Sequence, residues 1–151
     1  MPHLHLVTQI HASAETCFGL SLDVDLHRLS TGGHEEIVAG VRSGEMRLGD
    51  QVTWRANHFG IPWRMTSKIS DYERPTRFVD EQQSGPFASW YHEHRFEEHD
   101  GVTTMTDLVD YRSPAGPIGT LADRVVLERY MTNLLDRRNS FLKAQAEAGK
   151  D

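Results

Sequence analysis

Polar and apolar residues alternate over 89–96, where Trp90, His92, His94 and Phe96 share one face of an extended chain and Tyr91, Glu93 and Arg95 the other. The same period of two runs through 102–111, so both segments are predicted strands with one face turned inward. Between them lies Asp100-Gly101, a dipeptide suited to the positive φ that a type I′ turn requires at both central positions. A hairpin closed there places Phe96 opposite Met105, His94 opposite Asp107 and His92 opposite Val109. A slip of one residue would undo every one of those pairs.

Upstream, Leu4, Leu6, Thr8 and Ile10 alternate within 3–11 and predict a first strand. Ser13, three residues before Thr16, is a plausible cap for a helix over 14–20, and Asp23 or Asp25 can start a second short helix toward Leu29, ended by Thr31-Gly32-Gly33. Strand patterns recur at about 34–42, 50–58, 62–72 and 76–83, punctuated by Gly44, Gly49, Gly60-Ile61-Pro62, Arg74-Pro75 and Gly85-Pro86, for roughly seven strands in all. From Gly119 or Thr120 the period becomes helical. Leu121, Val125, Leu127, Met131, Leu134, Leu135 and Leu142 form an apolar stripe, while Asp123, Arg124, Glu128, Arg129, Asp136, Arg137 and Lys143 are available to water. A helix of roughly 28 residues at about 1.5 Å per residue would span about 40 Å, enough to cross a small sheet. Arg137-Arg138 reads as solvated helix surface of mixed charge.

A chain of 151 residues with 38% hydrophobic content suits one domain over 1–148, with 149–151 a frayed tail. The single cysteine, Cys17, excludes an internal disulfide framework and a four-cysteine zinc site. A net charge of −6 with scattered arginines argues against a nucleic-acid partner. The first residues hold no basic segment followed by an apolar run, and no stretch approaches membrane-spanning length. No membrane span and a cytoplasmic location are therefore expected, and monomer and homodimer fit this composition equally.

The order β-α-α-β(6)-α resembles the α+β helix-grip fold of the START-like (SRPBCC) superfamily, which includes lipid-transfer domains, plant allergens of the birch-pollen type and polyketide aromatase/cyclases. The resemblance extends to small bacterial proteins of the polyketide cyclase/dehydrase-like group through Phe78-Val79-Asp80-Glu81-Gln82, Gly85-Pro86-Phe87, Trp90-Tyr91-His92-Glu93-His94-Arg95-Phe96, Met105-Thr106-Asp107-Leu108-Val109-Asp110-Tyr111 and Pro114-Ala115-Gly116-Pro117-Ile118-Gly119. It implies a curved antiparallel sheet wrapped around the last helix. Between them would lie an elongated apolar cavity, capped by the two short helices, that holds a hydrophobic or aromatic ligand.

Trp54, Trp63, Met65, Phe78, Trp90, Met105 and Tyr111 fall on alternating faces that can point together toward the last helix. Aromatic stripes alone most often fill a core; the resemblance turns these into expected ligand-binding walls, joined by His92. His58, Asp80, Gln82, His92, His94 and Asp107 lie on the same inner faces, where each must be satisfied or cost free energy. An Asp beside a His orients the imidazole and raises its pKa, so His94 and Asp107 are the catalytic candidates for proton transfer at an enolisable carbonyl or hydroxyl. The plainer reading is a buried hydrogen-bond network that sets register or orients a ligand.

His92-x-His94 and His3-x-His5, with Glu97 or Glu98, faintly suggest a cupin metal site. That pattern needs a further downstream His, and the chain has none after His99. Neither a metal nor a cofactor is expected. Cys17 reads as a small buried side chain rather than a nucleophile, and Gly116-x-x-Gly119 as loop geometry rather than a phosphate cradle. Three functions follow: binding of a small hydrophobic ligand that is aromatic, polyketide-like or lipid-like, an aromatase/cyclase or dehydratase working through His94 and Asp107, and a protein-interaction module with a vestigial cavity.

Overall fold

The alternating segments become strands in a computed structural model that describes residues 3–32, 35–58, 61–112 and 126–149. The elements are β1 (His3–Ile10), α1 (Ala14–Leu22), α2 (Val24–Ser30), β2 (Glu36–Gly40), β3 (Gln51–His58), β4 (Ile61–Glu73), β5 (Arg77–Ser84), β6 (Ser89–His99), β7 (Val102–Arg112) and α3 (Glu128–Ala148). Every strand matches a predicted one to within a few residues. The predicted start of the last helix, Leu121, Val125 and Gly116-x-x-Gly119 lie outside the described residues, as does the side chain of His58.

The seven strands form one antiparallel sheet in the order β1-β7-β6-β5-β4-β3-β2. All pairs but β1–β7 are neighbours in sequence. Asp100 and Gly101 take φ of 51° and 78°, the left-handed values that a type I′ turn needs. The hairpin therefore keeps the expected register, with Phe96 opposite Met105, His94 opposite Asp107 and His92 opposite Val109. On the next strand, Phe78 faces His94 and Asp80 faces His92. Two rows thus cross the inner face side by side, Phe78–His94–Asp107 and Asp80–His92–Val109.

Local capping starts both short helices as predicted. The Ser13 hydroxyl accepts from Thr16 N at 3.1 Å, and Asp23 Oδ1 accepts from Asp25 N and Leu26 N at 2.9 and 3.1 Å. Packing then fixes α1: Phe18, fully buried, meets Tyr72, Phe78 and Phe96 edge-on with ring centroids 5.3–5.5 Å apart.

Helix α3 lies against β1 and both short helices, and its buried face changes character along its length. Met131 and Leu135 pack with Leu4, Trp90, Val109 and Tyr111; Leu142 and Ala146 join the cluster around Phe18 and Met105. Between these two apolar patches sit Arg138 and Asn139, both buried. This corrects the expectation for Arg137-Arg138. Arg137 is exposed, but Arg138 falls three residues after Leu135 and four before Leu142, on the apolar stripe, and is 8% exposed. No helix among the described residues is long and apolar enough to cross a membrane.

Leu142 is fully enclosed between α1 and the sheet. Leu142→Ala is expected to lower stability by about 2–5 kcal/mol, the usual loss for a buried leucine plus its cavity, read as a lower urea midpoint with unchanged slope. A change below about 0.5 kcal/mol, normal for exposed positions, would show that α3 does not anchor this end.

Candidate functional site

Because α3 covers the β1 side of the sheet, the inner face of β3 and β4 is left facing an internal space of about 510 Å³. Trp54, Trp63, Met65, Phe78, Trp90, His92 and His94 line it. Leu134, Leu135 and Arg138 close it from α3, and His27 reaches it from α2, its ring 4.6 Å from that of Trp54. Met105, Tyr111 and Asp107 do not line the space. Met105 and Tyr111 are fully buried behind the wall, Met105 in the cluster around Phe18 and Tyr111 against Trp90 and Phe87.

The polar end of the cavity is built on β5, β6 and β7. His92 Nε2 lies 2.8 Å from Asp107 Oδ1, and His94 Nε2 lies 2.7 Å from Asp80 Oδ2. These bonds are crossed relative to the strand register: each imidazole leans along its strand toward the carboxylate of the other row. His94 and Asp107, the directly opposed pair, approach through Nδ1 at 3.3 Å without the alignment of a hydrogen bond. The two imidazoles stack at 3.7 Å, and Phe78 stacks on His94 at 4.1 Å. Both rings are thereby fixed in position.

Asp107 is 0% exposed, and its ionised form is held from several sides. Asn139 Nδ2 donates to Oδ2 at 2.8 Å, while Arg138 Nη1 reaches Oδ1 at 3.3 Å and donates to Asn139 Oδ1 at 2.8 Å. Burial alone would raise the Asp107 carboxyl, but His92, His94 and Arg138 together hold it well below the usual range. Asp80 follows the same logic: burial opposes ionisation, the charges and hydrogen bond of the two imidazoles favour it, and the carboxyl is lowered to about 2. His92 moves downward, first through burial and then through its stacked neighbour His94. A neutral His92 donates Nε2–H to Asp107 and leaves Nδ1 as a base, 3.7 Å from Asp80 Oδ2.

Asp80, His92 and His94 each offer one ligand atom within 4.8 Å of the others, the one three-residue donor group of this kind among the described residues. The remaining candidates are placed elsewhere. Gln82 exchanges hydrogen bonds with Phe87 N and O at 3.2 and 2.8 Å and clamps the β5–β6 loop. His3 and His5 are exposed on β1, Glu97 is exposed on β6, and Glu98 accepts from Ala14 N at 2.7 Å at the start of α1. Cys17 is fully buried, and burial pushes its thiol up, as an inert core cysteine requires. Arg138 and Asn139 were missed in the sequence, although the buried spacing 131, 135, 138, 142 and 146 marks that face of the helix.

The Asn139 amide is a neutral donor to a buried charge, so Asn139→Ala is expected to lower stability by about 1–3 kcal/mol, with the exposed Asp136→Ala as control. Equal urea midpoints for the two variants would show that Asp107 does not need the helix.

No family model and no curated protein matches the chain. Solved structures match it over nearly its whole length. A protein of Thermus thermophilus superposes with a TM-score of 0.79 at 17% identity, covering 99% of this chain and 100% of the other. The ZhuI aromatase/cyclase from Streptomyces sp. R1128 gives 0.75 at 18% identity, covering 99% of both chains. A START superfamily protein from Mycobacterium smegmatis gives 0.73 at 13%, covering 98% and 99%. At such identities the likeness is one of fold, and the seven-stranded antiparallel sheet gripping a long C-terminal helix is the START-like helix-grip fold.

Proposed function

We propose that the protein binds a small hydrophobic molecule, aromatic, polyketide-like or lipid-like, in the space between the sheet and α3. The observation that carries this reading is the cavity itself. Its volume of about 510 Å³ falls within the ~300–1,000 Å³ range of small-molecule pockets, and its walls are largely apolar, with one polar group at Asp80, His92, His94 and Arg138 and a second at His27 and Glu35. Such a space favours a ligand with a flat or chain-like apolar body and one oxygen-bearing group. The body would lie among Trp54, Trp63, Met65 and Trp90, and the oxygen would face Arg138, His92 and His94.

All three tryptophans of the chain line the cavity, so intrinsic fluorescence reports directly on its occupancy. Titration with naphthols, anthraquinones and medium-chain fatty acids is expected to give saturable quenching by at least one class. Ser67→Phe, which projects a ring into the cavity from β4, should weaken that binding at least tenfold while the circular dichroism spectrum is kept. Absence of saturable quenching by every class, together with a clean protein mass on native mass spectrometry, would overturn the reading.

A second reading, aromatase/cyclase or dehydratase chemistry on a polyketide-like substrate, is favoured by one specific observation. His92 is buried, neutral and fixed by Asp107, the arrangement of an oriented general base. Asp107 does not line the cavity and acts only through the imidazoles. For an enzyme, His92→Gln and His94→Gln lose turnover of a polyketide-type substrate and keep its binding. For a binding protein, the same variants weaken or re-orient the ligand, and wild type shows no turnover to lose.

A further inference from the structure

Two histidines two residues apart on a strand are a weak metal pattern because they lack a third donor. The pairing of β5 with β6 supplies one, since Asp80 stands directly opposite His92. We propose that Asp80, His92 and His94 bind a divalent first-row transition metal ion at the polar end of the cavity. The inference goes beyond the ligand reading and does not depend on which organic molecule the cavity holds.

The donor atoms are His92 Nδ1, His94 Nε2 and Asp80 Oδ2. Asp80 Oδ2 stands 2.7 Å from the His94 nitrogen and 3.7 Å from the His92 nitrogen. Those separations straddle the roughly 3.3 Å that neighbouring donors keep around a tetrahedral ion with bonds of about 2.0–2.1 Å. The three donor atoms all lie within 4.8 Å of one another, and seating the ion requires the two imidazoles to tilt out of their near-parallel stack so that both in-plane lone pairs meet it. Phe78 stacks on the outer face of His94, so the opening needed is between the two imidazoles.

The outer contacts suit the same assignment. Imidazoles that ligate a metal usually hand their second nitrogen to a carboxylate, which sets the tautomer. Here both second nitrogens face Asp107 Oδ1, His92 Nε2 at 2.8 Å and His94 Nδ1 at 3.3 Å. With its proton on Nε2, bonded to Asp80, His94 leaves the buried Nδ1 without a hydrogen-bond partner. Coordination through Nε2 would put the proton on Nδ1, toward the Asp107 carboxylate. Asn139 and Arg138 hold that carboxylate from the other side.

Charge and donor type narrow the ion. Imidazoles that ligate a metal are neutral, so around a bound ion the carboxylates of Asp80 and Asp107 against the Arg138 guanidinium leave one negative charge. A divalent cation reverses it, and an anionic oxygen at the open position, from hydroxide or from an enolate, phenolate or carboxylate in the cavity, restores neutrality. Two nitrogens and one carboxylate favour zinc, cobalt or ferrous iron over calcium or magnesium. Three protein donors with a position left open to a cavity resemble a reactive centre more than a closed structural one.

The test uses full-length, tag-free protein stripped with a chelator and titrated with Co2+. One Co2+ per chain, visible d–d absorption bands and their displacement by Zn2+ are expected. Asp80→Asn, His92→Gln and His94→Gln should each weaken binding at least tenfold, while the His3→Ala/His5→Ala double variant, which removes the exposed pair on β1, should bind as wild type. Should a site variant fail to fold, imidazole 1H–15N spectra of the wild type with added Zn2+ decide: resonances of His92 and His94 must move and those of His3 and His5 stay. No stoichiometric Co2+ binding, or binding that survives the site variants and vanishes with His3 and His5, overturns the proposal.

Discussion

A carboxylate with no access to water has to find its donors inside the protein, and Asp107 finds them on two sides. His92 comes from the neighbouring strand, while Asn139 and Arg138 come down from α3. The contact ties the centre of the sheet to the middle of the helix, where the apolar face of α3 is interrupted. Removing one partner of a buried ion pair typically costs about 3–5 kcal/mol, against the ~5–15 kcal/mol by which a domain is stable. The height and rotation of α3 on the sheet, and with them the two apolar patches around Leu135 and Leu142, are set by satisfying this one group.

The same placement produces the cavity. Held over β1 and the central strands, α3 does not reach across to β3 and β4, so Trp54, Trp63 and Met65 border a space, with His27 of α2 beside Trp54. Phe78, His94 and His92 form a continuous stack at its edge. The apolar walls favour an apolar body, and two polar groups interrupt them: the stacked imidazoles with Asp80 and Arg138, and the His27–Glu35 pair beside α2.

Much of this frame can be read from short segments. The β6–β7 register follows from Asp100-Gly101, whose backbone takes the positive φ values the turn demands. The caps at Ser13 and Asp23 follow from side chains two or three residues from the amides they satisfy. The inner positions of Trp90, His92, His94 and Phe96 follow from the period of the strand. The partners of the two histidines do not. Register alone puts His94 against Asp107, yet the rings lean across the rows and bond to Asp107 from His92 and to Asp80 from His94. Arg138 shows the same limit, since its charge suggests solvent while its place on the helix stripe buries it.

The sequence by itself determined the order of elements, the hairpin, the helix caps and which residues face inward, because those depend on backbone preferences and periodicities acting over a few residues. Only the tertiary structure decided that Trp54 and Trp63 line a space while Met105 and Tyr111 fill the core, that Asp80 joins the histidines, and that Asn139 and Arg138 neutralise Asp107. Those outcomes rest on how β5 pairs with β6, with register irregularities in the neighbouring β4–β5 pair, and on how α3 is rotated against the sheet. Packing and the satisfaction of buried charge select these arrangements among segments far apart in the chain, and no local pattern records them.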